Sequence, residues 1–130
     1  MSRIVVLGAG SWGTTIAKVI ADGGTDVLLW SRREDLANEI NQQHRNGDYL
    51  PGIDLPKNLI ATSDTEFALS KAEQIYLAVP AQSLRTNLEQ WSNLIPKDAI
   101  LVSLMKGVEQ GSGLRMSEVI EQATAIAKSR

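Results

Sequence analysis

Gly8-Ala9-Gly10-Ser11-Trp12-Gly13 lies between the apolar run Ile4-Val5-Val6-Leu7 and a helical stretch that begins at Thr14. A G-x-G-x-x-G pattern between a buried strand and a helix is what a dinucleotide-binding turn requires. Gly8 allows the tight turn, Gly10 lets a pyrophosphate approach the backbone, and Gly13 lets the helix pack closely on the strand. The positive end of the helix then favours phosphate. The alternative is a glycine-rich turn that only joins a strand to a helix.

The next apolar run ends at Trp30 and is followed by Ser31-Arg32-Arg33. An NAD site usually carries Asp or Glu at this position, where the acid bonds the ribose hydroxyls. Serine and two guanidinium groups instead suit a 2′-phosphate. The sequence therefore predicts NADP(H) in preference to NAD(H), with NADH binding still open. The alternative is a solvated helix start in which Glu34 and Asp35 are favourable first-turn acids, one of which could reach the ribose.

Composition limits the class of protein. The chain has 130 residues, 43% of them hydrophobic and 22% charged, which fits one soluble domain with a core. A net charge of -2 gives no support for a nucleic-acid or anionic-membrane partner. Cysteine is absent, which excludes disulfides and cysteine metal ligands and suits a cytoplasmic location. No apolar run is long enough to span a bilayer.

Short apolar runs alternate with helical stretches along the chain, and the runs are apolar almost throughout. Strands of that kind are buried on both faces, as in a parallel sheet covered by helices. We predict an α/β fold, a Rossmann-type doubly wound parallel sheet in a single domain. The predicted strands are 3–8, 26–31, 59–62, 74–79 and 99–104, and the predicted helices are 11–22, 33–45, 64–71, 81–92 and 112–128.

Several other residues are candidates for this site or for the core. Residues 46–56 form a long loop that could fold over the cofactor edge or be a plain surface connection. Pro80 and Lys106 follow strands whose carboxyl ends should border the cleft, although position alone favours a solvated loop lysine for Lys106. Neither metal-ligand spacing nor a Ser/His/Asp arrangement is present. His44, at a helix end, is expected to be solvated, and the helical spacing around Trp91 predicts core packing.

Five segments occur in an order that resembles the N-terminal domain of bacterial NAD(P)-dependent glycerol-3-phosphate dehydrogenase. The resemblance covers essentially the whole chain, and the Tyr-Leu-Pro-Gly and Lys-Gly-Val-Glu segments are much more specific than the glycine motif. The segments are Gly8-Ala9-Gly10-Ser11-Trp12-Gly13-Thr14, Trp30-Ser31-Arg32, Tyr49-Leu50-Pro51-Gly52, Ala78-Val79-Pro80-Ala81-Gln82 and Lys106-Gly107-Val108-Glu109.

The resemblance implies an oxidoreductase that reduces dihydroxyacetone phosphate to sn-glycerol 3-phosphate for phospholipid synthesis. It implies cofactor contacts from Ser11 and Trp12, from Arg32 and Arg33 at the adenosine phosphate, and from the loop residue Tyr49. Lys106 would touch both cofactor and substrate.

The family enzyme is more than twice this length and carries its proton-transferring lysine in a helical domain after the Lys-Gly segment. The expectation is therefore that 1–130 is an isolated cofactor domain that binds the dinucleotide without full activity. Apolar surface left uncovered by the absent domain would favour a homodimer. Two alternatives stay open: the cofactor domain of another β-hydroxyacid-type reductase, and a standalone NADPH-sensing or interaction module.

Overall fold

The computed structural model describes residues 3–79, 84–91, 93–96 and 98–103. Over these residues the chain forms five strands and four helices that alternate in sequence. The strands are β1 (Ile4–Leu7), β2 (Val27–Trp30), β3 (Leu59–Thr62), β4 (Gln74–Leu77) and β5 (Ile100–Ser103), and the helices are α1 (Ser11–Asp22), α2 (Glu34–Gln43), α3 (Thr65–Leu69) and α4 (Leu84–Trp91).

All strand pairs are parallel, and the strand order is β3-β2-β1-β4-β5. The chain therefore winds outward from β1 to one edge, then returns to the centre and winds to the other edge. The order reverses between β1 and β4, which places a topological switch point beside the turn that follows β1. The predicted doubly wound parallel sheet is confirmed.

The sheet has a core on each face because alternate residues of the central strands point in opposite directions. Val5 and Leu7 of β1 pack in one core with α3 and with Trp91 of α4. Val6 packs in the other core with α1 and α2. All four β1 residues are buried, which explains why the strand is apolar throughout.

Local sequence signals mark the end of one helix and the start of another. Gly23 is the C-cap of α1, and Gly24 follows with a φ of 94°. Asp64 is the N-cap of α3, where its carboxylate accepts a hydrogen bond of 3.1 Å from the Phe67 N–H. These short polar and glycine residues satisfy the backbone groups that a helix leaves unpaired at its ends.

Helix α2 ends at Gln43, two residues before the predicted end at 45, because His44 adopts a left-handed conformation with a φ of 55°. The His44 N–H bonds back to the Ile40 carbonyl at 2.9 Å, and the His44 carbonyl accepts from the Leu55 N–H at 2.7 Å. His44 is only half-exposed, and its Nδ1 is buried without a hydrogen-bond partner among the described residues. The expectation of a solvated histidine was therefore wrong for this nitrogen.

Parts of three predicted elements lie outside the described residues. They are the helix 112–128, the first residues of helix 81–92, and residue 104 of the last strand.

Candidate cofactor site

The turn between β1 and α1 has the geometry that its glycines predict. Gly8 has a φ of 117°, and a Cβ placed there would lie 2.5 Å from the Ala78 carbonyl oxygen at the end of β4. A Cβ on Gly13 would collide with the Gly8 carbonyl oxygen. The chain's own packing therefore requires glycine at both positions, whatever binds beside them.

Gly10 is different, because a Cβ built there meets nothing within 4 Å. No packing of the described chain explains a glycine at this position. The backbone at Gly10 faces the space above the turn, and a ligand in that space could come within contact distance of the main chain.

The N-terminus of α1 is open toward the same space. Gly10 is the N-cap, so no side chain caps the helix, and the first turn contains no acidic residue. The first N–H groups of a helix lack intrahelical partners and carry the positive end of the helix dipole. This helix end can therefore accept an anionic group such as a pyrophosphate.

A cleft of about 760 Å³ opens at the carboxyl ends of β1, β2 and β4. It brings together the glycine turn, the segment after β2, the end of β4, the loop residue Tyr49, and three polar residues of α3 and α4. Its lining residues are Gly8, Ala9, Gly10, Ser11, Trp12, Gly13, Trp30, Ser31, Arg32, Arg33, Leu36, Tyr49, Thr65, Ala78, Val79, Asn87, Gln90 and Trp91.

Aromatic side chains border the cleft at two depths. Trp30 and Trp91 are buried in the core and stack edge to face, with ring centroids 5.2 Å apart. The Trp30 indole N–H donates to the Ser63 carbonyl at 3.3 Å. Trp12 and Tyr49 are 57% and 44% exposed, so their rings are free to contact a ligand. Core packing of Trp91 is confirmed, although its ring also reaches the cleft.

The two arginines after β2 are in different states. Arg32 is exposed and makes no ion pair or hydrogen bond with the described residues. Arg33 is engaged by two carboxylates: its Nε and Nη2 bond the two oxygens of Asp35 at 3.2 and 2.8 Å, and its Nη1 bonds Asp48 at 2.8 Å. Only Arg32 therefore presents an unpaired guanidinium to the cleft within the part of the chain described.

The carboxylates around Arg33 change the electrostatics expected from the sequence. The hydrogen bonds that Arg33 donates to Asp35 lower the pKa of Asp35, and the same bonds, with the one that Arg33 donates to Asp48, raise the pKa of Arg33. Arg33 and Asp35 are therefore both charged at neutral pH. Ser31 does not point freely into the cleft, since it is buried and its hydroxyl accepts the Arg33 N–H at 3.0 Å.

Asn46 holds the loop of residues 46–56 against the glycine turn. Its side-chain amide is fully buried and donates to the Ala9 carbonyl at 2.9 Å and to the Thr14 hydroxyl at 2.8 Å. Its carbonyl oxygen accepts the Tyr49 N–H at 3.3 Å. The loop therefore borders the cleft, as one of the two sequence interpretations proposed. Sequence reasoning missed Asn46, because an asparagine before a glycine also reads as an ordinary turn residue.

Two predicted site residues, Pro80 and Lys106, lie outside the described residues. The structure brings the other eight together around one cleft: Gly8, Gly10, Ser11, Trp12, Gly13, Arg32, Arg33 and Tyr49. Sequence reasoning did not single out Thr65, Asn87 and Gln90, which line the same cleft from α3 and α4. Among residues 3–79 and the described part of 84–103, no cluster of His, Asp or Glu could hold a metal ion. No helix in those ranges has the length and apolar character needed to cross a membrane.

A parallel sheet of this strand order, with a G-x-G-x-x-G turn at its switch point, defines a Rossmann-type dinucleotide-binding domain. The family described as NAD-dependent glycerol-3-phosphate dehydrogenase N-terminus matches residues 3–129, and the chain belongs to that family. The resemblance inferred from the motifs is thereby confirmed. The match also decides against the cofactor domain of a different β-hydroxyacid-type reductase.

Relatives support the same assignment. The chain is 55% identical over 130 residues to a glycerol-3-phosphate dehydrogenase [NAD(P)+] of Corynebacterium glutamicum. The match covers 100% of this chain and 39% of that relative. A crystal structure of glycerol-3-phosphate dehydrogenase from Coxiella burnetii has a TM-score of 0.87 at 32% identity, over 95% of this chain and 38% of that one. The structure from Saccharomyces cerevisiae has the same TM-score and identity, over 96% and 40%. The chain thus corresponds to well under half of these proteins.

Proposed function

We propose that residues 1–130 form the NADP(H)-binding domain of a glycerol-3-phosphate dehydrogenase. The whole enzyme would transfer hydride from the cofactor to dihydroxyacetone phosphate and produce sn-glycerol 3-phosphate for phospholipid synthesis. One observation carries the binding proposal. Gly8 and Gly13 are required by the chain's own packing, whereas Gly10 is surrounded by open space at an uncapped helix N-terminus. A ligand pyrophosphate supplies the missing reason for Gly10.

The groups around the cleft suit a dinucleotide. The N–H groups at the start of α1, from Ser11 onward, would hold the pyrophosphate, with Trp12 beside it. Arg32, exposed and unpaired among the described residues, would bond the 2′-phosphate. Tyr49 would border the cofactor from the loop that Asn46 anchors.

Arg33, Pro80 and Lys106 complete the proposed site. Arg33 lines the cleft, but its guanidinium would have to be shared between its two carboxylate partners and the phosphate. Pro80 and Lys106 enter through the family motifs, with Lys106 contacting both cofactor and substrate.

NADPH is favoured over NADH in this proposal because of Arg32. A carboxylate at the end of β2 would repel a 2′-phosphate, whereas a free guanidinium attracts it. The relatives support a nicotinamide cofactor without distinguishing NAD from NADP, since the name of the Corynebacterium protein covers both.

Bound cofactor supplies the hydride, and this chain supplies binding and orientation. Reduction of a ketone also needs an acid that protonates the developing alkoxide. Around the described cleft, the ionisable side chains are Arg32, Arg33 and Tyr49, and Arg33 is held by carboxylates. We therefore expect the 130-residue chain to bind dinucleotide and to turn over poorly or not at all. The proton-transferring lysine would belong to the rest of the enzyme.

The remaining parts of the proposal concern cellular location and assembly. A chain without cysteine suits the cytoplasm, where nicotinamide cofactors and phosphorylated three-carbon substrates are available. We also expect association into a homodimer through apolar surface that a further domain would cover, and sedimentation of the purified chain checks it.

Titration of the purified chain with NADPH and NADH at one salt concentration tests the binding proposal. Trp12, Trp30 and Trp91 line the cleft, so their fluorescence should be quenched by the bound nicotinamide or should transfer energy to it. We expect tighter binding of NADPH, with the difference reduced in Arg32→Ala. Arg45→Ala is the matched control, since Arg45 is an exposed arginine that pairs with Asp54 outside the cleft. A folded chain that binds neither nucleotide would refute the proposal.

A further inference from the structure

Arg33 is the only cleft-lining cation in the described ranges that is already paired, and one of its partners comes from another part of the chain. Asp35 lies two residues away on the first turn of α2. Asp48 lies fifteen residues away, in the loop that Asn46 anchors to the glycine turn. The Arg33–Asp48 bond therefore joins the loop to the cleft edge where the adenosine ribose of a dinucleotide would lie.

We propose that Asp48 is a specificity-determining residue that lowers the preference of this site for NADPH over NADH. Its carboxylate competes with the 2′-phosphate of NADPH for the Arg33 guanidinium. The inference rests on the proposed function, because it presumes that a dinucleotide occupies the cleft.

The hydrogen bonds of Arg33 support this competition. A guanidinium has five N–H donors, and three of those on Arg33 are used by the two carboxylates. A phosphate is held best by two parallel N–H groups. Since Asp35 already takes the Nε and Nη2 edge, the approach of a phosphate to Nη1 brings it against the Asp48 carboxylate. The two anions would repel each other unless Asp48 moves away.

Asp48 is the partner that can be displaced. Asp35 binds Arg33 through both oxygens and is favoured by the positive end of the α2 dipole. Asp48 makes one bond to Arg33 from a loop, and its side chain is 50% exposed, so water can take its place at little cost. NADH carries no 2′-phosphate and has no need to displace it.

The test measures the affinities of NADPH and NADH for the 130-residue chain and for Asp48→Asn at the same salt. Asparagine keeps one carbonyl acceptor for Arg33, removes the negative charge and places an NH2 group where the second carboxylate oxygen was. An exposed ion pair of this kind corresponds to a change of about two- to fivefold in affinity. We expect NADPH to bind tighter by that factor in Asp48→Asn, with NADH affinity unchanged. The matched control is Asp54→Asn, which removes a carboxylate from the same loop that pairs with Arg45 outside the cleft.

The possible outcomes separate the two proposals. An unchanged ratio of the NADPH and NADH affinities would overturn the role of Asp48 in specificity and leave it as a loop contact. The same gain in Asp54→Asn would reduce the effect to net charge and overturn it as well. Failure of the folded unmodified chain to bind either nucleotide would overturn the proposed function, and the Asp48 inference with it.

Discussion

Replacement of Asn46 by alanine tests whether the loop anchor is needed for the cofactor cleft. The side chain is fully buried and makes three hydrogen bonds: two from its amide to Ala9 and Thr14, and one to its carbonyl oxygen from Tyr49. Each such bond contributes about 1 kcal/mol net. The Ala9 carbonyl keeps a weaker bond of 3.3 Å from the Thr14 hydroxyl, which limits the cost. We therefore expect Asn46→Ala to lower the free energy of unfolding by about 2–4 kcal/mol, including the small cavity left behind.

Equilibrium unfolding in urea, followed by tryptophan fluorescence, measures that loss, and NADPH titration of the folded variant measures the effect on the cleft. The matched control is Asn58→Ala. Asn58 also donates to two carbonyls, those of Ala21 and Thr25, but it lies beside the C-terminal end of α1, away from the cleft. We expect Asn58→Ala to lower stability without weakening NADPH binding, and Asn46→Ala to lower both stability and NADPH affinity. Unchanged NADPH affinity in Asn46→Ala would refute the anchoring argument, and a loss below about 0.5 kcal/mol would refute the accounting of its bonds.

Two further predictions concern the glycine turn and the acid limit of stability. Gly8→Ala should destabilise the fold by more than about 2 kcal/mol, because its φ of 117° and the nearby Ala78 carbonyl both oppose a side chain. Gly10→Ala should leave the unfolding midpoint nearly unchanged and weaken NADPH binding. A loss of stability equal to that of Gly8→Ala would contradict the different roles assigned to the two glycines. Because Arg33 lowers the pKa of Asp35 below its ordinary value of 3.8, the pair stabilises the fold above that pH and stops doing so as the pH falls through the lowered pKa. Asp35→Asn should therefore reduce the acid-side loss of thermal stability below about pH 4, and an unfolding midpoint with the same pH profile in variant and parent would count against the pair.

The fold follows closely from local patterns because the central strands β1 and β2 are buried on both faces. Continuous apolar runs such as the one at Ile4–Leu7 leave no ambiguity about which residues are core, and each is followed by a helical period. Capping residues such as Asp64 acted locally and were therefore predictable. The predicted end of α2 was wrong because the Leu55 N–H, eleven positions further along, bonds the His44 carbonyl. A helical period contains no information about such a contact.

The sequence by itself determined the class of site, since the spacing of Gly8, Gly10 and Gly13 after a buried strand encodes a backbone shape that few other residues allow. It could not determine which arginine is free. Arg32 and Arg33 are equivalent as letters, and only the folded loop brings Asp48 to one of them at 2.8 Å. Asn46 likewise gains its role only when the chain returns to Ala9. Glycine spacing and apolar runs are local signals, whereas charge pairing and buried hydrogen bonds depend on distances that exist only in the tertiary structure.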